Sequence, residues 1–123
     1  MAKTILLVDD SATVRQQVRS FLQTNEFTVV EASNGVEGLS QAKTVQADLV
    51  MVDVNMPMMN GIEMIGELRK VPGYEKTPIF VLTTESTTAM AQKGKEAGAT
   101  AWLVKPFKAE LVLKGIQKVL GMK

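Results

Sequence analysis

Acidic and hydroxyl-bearing residues and one lysine stand at the ends of four short apolar runs in this 123-residue sequence. They are Asp9 and Asp10 after the first run, Asp53 after the second, Thr83 and Thr84 at the end of the third, and Lys105 after the fourth. Carboxylates brought within a few ångströms of one another repel strongly, and one lysine cannot neutralise three of them, so such a cluster needs a cation. In a chain without histidine or cysteine, carboxylate oxygens favour Mg²⁺.

Short β-rich runs alternate along the chain with longer stretches of helical period. Strands are predicted at 4–8, 28–32, 49–52, 79–83 and 101–104, and helices at 12–24, 36–45, 61–70, 87–97 and 109–120. Five βα units with short connections predict a doubly wound α/β domain with a parallel sheet between two layers of helices. The carboxyl ends of parallel strands form one edge, where ligands bind, so the residues named above should meet there.

The segment 87–97 has a helical composition but a narrow apolar stripe. Ala89, Met90 and Ala97 are the residues expected to face the core. We therefore expect this helix to be the one held least firmly.

Composition and charge indicate a single-domain protein and argue against a nucleic-acid-binding or membrane protein. At 123 residues and 46% hydrophobic composition, the chain is expected to form one domain, residues 1–123. With 14 basic and 13 acidic residues and no basic run, direct nucleic-acid binding is unsupported. The apolar run at the N-terminus is too short for a signal peptide or a membrane span, which predicts a soluble cytoplasmic protein. Because histidine is absent, any phospho-histidine chemistry must come from another protein.

Each of these residues, taken alone, has an ordinary structural interpretation. An aspartate after a strand is commonly a turn or cap residue, and Ser11 is expected to cap the helix that follows it. Thr83 alone fits a strand, and Lys105 alone fits a solvated surface. Their joint placement at strand ends is what favours a shared site.

Four sequence motifs contain these residues. They are Leu6-Leu7-Val8-Asp9-Asp10-Ser11, the loop Asp53-Val54-Asn55-Met56-Pro57 that ends at Asn60-Gly61, Thr83-Thr84-Glu85, and Val104-Lys105-Pro106-Phe107. In this order and at these separations, the motifs resemble the CheY-type response regulator receiver domains of bacterial two-component signalling, and the resemblance covers essentially the whole chain. It implies a flavodoxin-like (βα)5 fold with the strand order 2-1-3-4-5, which periodicity alone does not give.

The resemblance implies that Asp53 is the phosphoacceptor, a nucleophile that takes a phosphoryl group from a sensor histidine kinase or its phosphotransfer domain. Lys105 would offset charge on the transferring oxygens. Thr83 would hydrogen-bond the acquired phosphoryl group, helped by the backbone N–H of Thr84. The protein would then be a signalling switch and not an enzyme, although it would assist its own phosphorylation and autodephosphorylation.

The same resemblance implies a Mg²⁺ site. Asp10 and Asp53 would bind the ion directly, together with the backbone carbonyl of Asn55, and Asp9 would act mainly through a metal-bound water. The side chains of Asn55 and Glu85 would tune the lifetime of the phosphoryl group.

Trp102 occupies the position of the aromatic residue that, in the family, rotates with the switch hydroxyl, here Thr83. Tyrosine or phenylalanine is more usual there, and a smaller residue is often found in place of Thr84, so both departures affect the read-out of the signal. A simple packing role on the sheet is the alternative for Trp102. The Lys105-Pro106 bond is expected to be cis.

No appended output domain is visible, so a monomer that signals by contact with a downstream protein is expected. The resemblance favours chemotaxis, with a flagellar motor component or a phosphatase as the target. The alternative is a phosphorelay shuttle that passes its phosphoryl group to another histidine protein.

Other classes of protein share parts of the pattern. A flavodoxin-like cofactor-binding module needs a phosphate cradle after the first strand, where Asp9 and Asp10 would repel phosphate. A phosphatase with an aspartyl nucleophile is expected to carry that nucleophile after its first strand. A P-loop enzyme needs a motif that the sequence lacks.

Overall fold

The computed structural model describes residues 2–84 and 87–122. Five strands alternate with five helices along these residues. The strands are β1 Thr4–Val8, β2 Thr28–Ala32, β3 Leu49–Val52, β4 Ile79–Thr83 and β5 Ala101–Val104. The helices are α1 Ala12–Thr24, α2 Gly35–Thr44, α3 Gly61–Leu68, α4 Thr88–Ala97 and α5 Ala109–Val119.

The strands form one parallel sheet in the order β2-β1-β3-β4-β5, which confirms the predicted fold class and the strand order that the resemblance implied. β1 and β3 are neighbours, with Val8 paired to Val52. Asp9 and Asp53 directly follow these two residues. The sheet register alone therefore brings the two aspartates side by side.

Apolar clusters cover both faces of the sheet. Leu6 of β1 belongs to the cluster that includes residues of α2 and α3, whereas its neighbour Leu7 belongs to the cluster that includes residues of α1 and α5. Strand residues alternate between the faces in this way because successive side chains of a strand point in opposite directions. Each fully buried leucine or isoleucine stabilises the fold by about 1.5–3 kcal/mol, so the sheet is the most firmly held part of the molecule.

Helix ends differ from the predicted ones by one or two residues. α2 begins at Gly35, one residue early, because the side chain of Asn34 accepts a hydrogen bond from the Glu37 N–H and caps the helix. It ends at Thr44 because Val45 is already extended. Such shifts arise from local capping, which hydrophobic period does not encode.

At the other helices, local bonding again sets the ends. α3 stops at Leu68, two residues early, where the chain tightens before Pro72. α4 begins one residue late because Thr87 is its cap, and α5 ends at Val119, one residue early.

The attachment of α4 matches its narrow apolar stripe in part. Met90 and Ala97 are partly buried against the core, as expected, but Ala89 is exposed, so its predicted inward orientation was wrong. Within Thr88–Ala97 the one fully buried residue is Gly94. Across the described ranges, every helix is too short or too polar to span a bilayer.

Tyr74 joins the connection between α3 and β4 to the C-terminal end of α2. Its hydroxyl accepts a hydrogen bond from the Ala47 N–H at 3.0 Å and lies 2.8 and 2.6 Å from the carbonyl oxygens of Ala42 and Val45. The side chain is fully buried. Several backbone groups therefore depend on one phenol.

We expect Tyr74→Phe to lower the free energy of unfolding by about 1–3 kcal/mol, because it leaves the Ala47 N–H buried without an acceptor. Urea unfolding followed by circular dichroism measures this change. Thr44→Val is the control, since it removes an exposed hydroxyl and should change stability by less than about 0.5 kcal/mol. Equal effects of the two substitutions would contradict the assignment.

Candidate functional site

The sheet ladder extends one residue beyond β1 and β3 and fixes the backbone of two aspartates. The Asp9 N–H donates to the Ala32 carbonyl at 3.1 Å, and the Asp53 N–H donates to the Val8 carbonyl at 3.0 Å. Both residues are buried, with 2% and 8% of their surface exposed. Because each main chain is bonded to the neighbouring strand, the two carboxylates have little freedom to move apart.

Asp9, Asp10 and Asp53 form a compact acidic cluster. One carboxylate oxygen from each lies within 4.8 Å of the others. Asp9 accepts a hydrogen bond from the Ser11 N–H at 2.9 Å, and Asp53 accepts one from the Asn55 N–H at 3.2 Å. Asp10 is exposed, and its carboxylate has no hydrogen bond or ion pair within residues 2–84 and 87–122.

Lys105 connects the acidic cluster to the end of β5. Its Nζ donates to Asp9 Oδ2 at 2.9 Å and to Asp53 Oδ2 at 3.0 Å. The backbone N–H of Lys105 donates to the Thr83 carbonyl at 2.7 Å, and the Lys105-Pro106 bond is cis. The structure thus brings Asp9, Asp53 and Lys105 into direct contact.

The pKa values of Asp9 and Lys105 are both raised, for different reasons. Burial raises the pKa of the Asp9 carboxyl, although the Ser11 N–H and Lys105 act to lower it. Burial alone would lower the pKa of the Lys105 ammonium, but its bonds to Asp9 and Asp53 outweigh that effect and raise it. Lys105 therefore stays charged at neutral pH, and Asp9 remains costly to ionise.

The donor set of this cluster fits Mg²⁺. The three carboxylates supply hard oxygen ligands, and the chain has no histidine or cysteine that would favour a softer metal. One ammonium against three carboxylates leaves negative charge uncompensated, which a divalent cation would balance.

The loop between β3 and α3 packs closely under Asp53. Asn60 caps α3 by accepting from the Glu63 N–H, while the Glu63 side chain accepts from the Asn60 N–H. A Cβ atom on Gly61 would stand 2.3 Å from the Asp53 carbonyl oxygen. Gly61 is therefore required by the close approach of the Asp53 carbonyl, and Asn60 by its role as the cap of α3.

Thr83 and Thr84, at the end of β4, differ in burial. Thr83 is fully buried as the last residue of the strand, and Thr84 is exposed. Glu85, predicted to tune phosphoryl lifetime, lies outside the described residues. Asn55, predicted to share that role, is exposed beside Asp53.

Trp102 is half-buried and packs against α4. A Cβ atom on Gly94 would stand 2.5 Å from Cζ3 of the indole, so the ring rests directly on the helix backbone. This contact was not foreseen. A glycine in the middle of a helix lowers its stability and often marks close packing, and this was the signal available in the sequence.

Arg15 of α1 reaches the acidic cluster, a contact that sequence reasoning missed. Its side chain is only 18% exposed, and its Nη1 donates to the backbone carbonyl of Asp9. Its Nε pairs with Glu31 of β2 at 3.2 Å, and Glu31 also pairs with Arg19. The period of apolar residues along α1 gives no information about these partners.

Comparisons with known proteins agree with this geometry. A family model described as the response regulator receiver domain matches residues 5–117. The chain is similar to the chemotaxis protein CheY of Bacillus subtilis (strain 168), with 36% identity over 122 residues that cover 98% of this chain and 100% of that protein. It is similar to CheY of Thermotoga maritima at 35% identity over 120 residues, covering 97% and 98%. The solved structure of chemotaxis protein CheY4 of Vibrio cholerae aligns with a TM-score of 0.92 and 43% identity, covering 97% of this chain and 99% of that one.

In metal-free buffer, we expect Lys105→Met to lower the free energy of unfolding at neutral pH by about 1–3 kcal/mol, because it leaves Asp9 and Asp53 without a counter-charge. Loss of the ammonium raises the pKa of Asp9 further, so the folded variant keeps a proton that the unfolded chain releases. Stability of the variant then falls as the pH rises from 3.8, the ordinary value, through that raised pKa.

Urea unfolding at a series of pH values measures this difference between the wild type and Lys105→Met. It should be smallest in acid and largest at neutral pH. In the wild type, the contribution of the ammonium is present below its ordinary pKa of 10.5 and is lost only as the pH rises through the raised pKa. Lys114→Met, at an exposed position of α5, is the control. A difference that does not vary with pH would contradict the role of Lys105 as counter-charge.

Proposed function

Because the chain belongs to the response regulator receiver family, we propose that Asp53 is the phosphoacceptor of a two-component signalling switch. Receiver domains accept a phosphoryl group on an aspartate from a histidine kinase and act as signalling switches. The observation that carries the assignment is the surroundings of Asp53, a buried carboxylate at the sheet edge within hydrogen-bond distance of Lys105. We propose a single receiver domain over residues 1–123.

In this proposal, a carboxylate oxygen of Asp53 forms a bond to phosphorus while the bond between phosphorus and the donor imidazole nitrogen breaks. The electron pair of that bond leaves on the imidazole. Lys105, 3.0 Å from Asp53 Oδ2, would hold positive charge where the transferring oxygens come to lie. The chain would assist its own phosphorylation and autodephosphorylation in this way.

Mg²⁺ would be held by Asp10, Asp53 and the backbone carbonyl of Asn55. The exposed Asp10 carboxylate, without partners among the described residues, supports a direct ligand role. Asp9 would act mainly through a metal-bound water. Lys105 contacts both Asp9 and Asp53, and Asp9 is the more buried of the two, with 2% of its surface exposed against 8%, which supports an indirect role. When bound, Mg²⁺ offsets the negative charge that develops on the transferring oxygens.

Around the phosphoryl group, Thr83 would donate its hydroxyl and Thr84 its backbone N–H. Asn55 and Glu85 would set the lifetime of the phosphoryl group through access of water to it. The position of Thr83 at the end of β4, bonded through its carbonyl to Lys105, supports a coupling between these two residues.

We propose that the phosphorylated domain signals by contact with another protein in the cytoplasm, as a monomer and without binding nucleic acid. Similarity to proteins named for chemotaxis supports that process, with a flagellar motor component or a phosphatase as the partner. A phosphorelay shuttle would use the same site and differ in its partners. Transfer of the phosphoryl group from Asp53 to a second histidine protein would distinguish the shuttle.

We expect the chain to gain one phosphoryl group when treated with a small phosphodonor and Mg²⁺, as measured by intact mass. Asp53→Asn should abolish the gain because the amide is not a nucleophile, and a chelator should prevent it in the wild type.

Asp48→Asn is the matched control for this experiment. Asp48 lies at the opposite end of β3 and accepts from the Thr4 N–H, a bond that the asparagine oxygen can also accept. It should leave phosphoryl uptake unchanged. A gain of mass that persists in Asp53→Asn would overturn the assignment of the acceptor.

Phosphorylation should change the emission of Trp102, the one tryptophan of the chain. We expect Gly94→Ala to remove most of this change while phosphoryl uptake continues, because the added methyl would occupy the space where the indole now lies. Gly66→Ala, on α3 with no atom near the added Cβ, is the control and should keep the full change. The same response in both variants would show that the contact with α4 plays no part in the read-out.

A further inference from the structure

Arg15 links the loop between β1 and α1, which carries Asp9 and Asp10, to β2. It lies on α1, four residues after the Ser11 cap, and its Nη1 donates to the backbone carbonyl of Asp9. Its Nε pairs with the Glu31 carboxylate at 3.2 Å, and Glu31 is also paired with Arg19. The Arg15 guanidinium is therefore fixed at one side by β2 and holds the β1–α1 loop at the other.

The carbonyl that Arg15 holds belongs to the peptide unit between Asp9 and Asp10. A peptide unit is planar, so fixing this C=O also fixes the N–H and Cα of Asp10. The Asp9 N–H is already bonded to the Ala32 carbonyl, and Arg15 therefore completes the restraint of this turn. The Asp10 carboxylate has no partner among the described residues, so its direction depends on the backbone that carries it.

We propose that Arg15 is a positioning residue for the Mg²⁺ site, which presents the Asp10 carboxylate to the ion by holding the Asp9–Asp10 peptide. The inference rests on the proposed function, since it assumes that the acidic cluster binds Mg²⁺. Groups that orient metal ligands affect affinity without touching the ion, and their loss weakens binding by about 10–100-fold.

The two possible effects of Arg15, through its charge and through its bond to the Asp9 carbonyl, predict opposite changes in Mg²⁺ affinity when Arg15 is replaced. A cation near a divalent-metal site repels the ion, so removal of its charge alone would strengthen Mg²⁺ binding. Removal of the bond to the Asp9 carbonyl would weaken it. The direction of the change in affinity therefore separates the two effects.

Calorimetric titration of the purified full chain with Mg²⁺ tests the proposal. We expect Arg15→Ala to raise the Kd by about 10-fold. Arg15→Lys keeps the charge, but a single ammonium cannot reproduce the two donors with which the guanidinium contacts the Asp9 carbonyl and Glu31 together. It should therefore also weaken Mg²⁺ binding. Arg19→Ala is the matched control, because it removes the same charge and a contact with Glu31 but leaves the Asp9 carbonyl bonded. It should bind as tightly as the wild type or more tightly.

The rate of phosphoryl uptake from a small donor gives a second readout. Arg15→Ala should need about 10-fold more Mg²⁺ for half its maximal rate, while the rate at saturating Mg²⁺ stays that of the wild type. A role in fold stability alone would lower the urea midpoint and leave the Mg²⁺ dependence unchanged. If Arg15→Ala does not fold, Arg15→Lys decides between these results.

Unchanged or tighter Mg²⁺ binding in both Arg15 variants, with normal binding by the wild type, would overturn the role of Arg15 and leave the proposed function standing. Failure of the wild type itself to bind Mg²⁺ would overturn the metal site, and the positioning role would fall with it.

Discussion

Repulsion among Asp9, Asp10 and Asp53 is the constraint that the surrounding structure has to meet. Their oxygens lie within 4.8 Å of one another, and burial raises the pKa of Asp9, so the cluster opposes folding wherever Lys105 does not offset it. Like charges can be held this close only on a frame whose own contacts are stronger. The paired ends of β1 and β3 provide that frame, because Asp9 and Asp53 are each bonded through their N–H to a neighbouring strand. Proximity of the carboxylates is thus a consequence of sheet register.

The frame is not equally firm around the site. β1, β3 and β4 are buried on both faces, whereas α4 buries one residue completely, Gly94. In the proposed switch, a change in charge at Asp53 would act on a rigid sheet and on a loosely attached helix, and the helix requires less free energy to move. Trp102 stands between the two, on β5 and against Gly94. In that switch, the signal would leave the site toward α4, the more weakly packed of the two.

Much of this arrangement can be predicted from the sequence. Strands that are buried on both faces appear as short apolar runs, and the residues that follow these runs share the carboxyl edge of the sheet. All five strands were predicted with their observed bounds, and the helices with errors of one or two residues at ends set by caps. The contacts of Arg15 and of Gly94 could not be predicted in the same way. Each depends on a partner outside its own helix, Asp9 and Glu31 in one case and Trp102 in the other. The period of apolar residues along a helix carries no information about such partners.

Several of the local rules that this chain breaks lie near the same edge of the sheet. Asp9 and Asp53 are buried carboxylates, and Met58, in the loop between β3 and α3, is 77% exposed with a left-handed φ of 71°. Each is unfavourable for folding when taken alone. Residues selected only for stability would not collect such features at one end of a well-packed sheet. Their joint location is therefore better explained by the chemistry of that edge than by the needs of the fold. Arg15, which restrains the loop between β1 and α1 at the same edge, belongs with them.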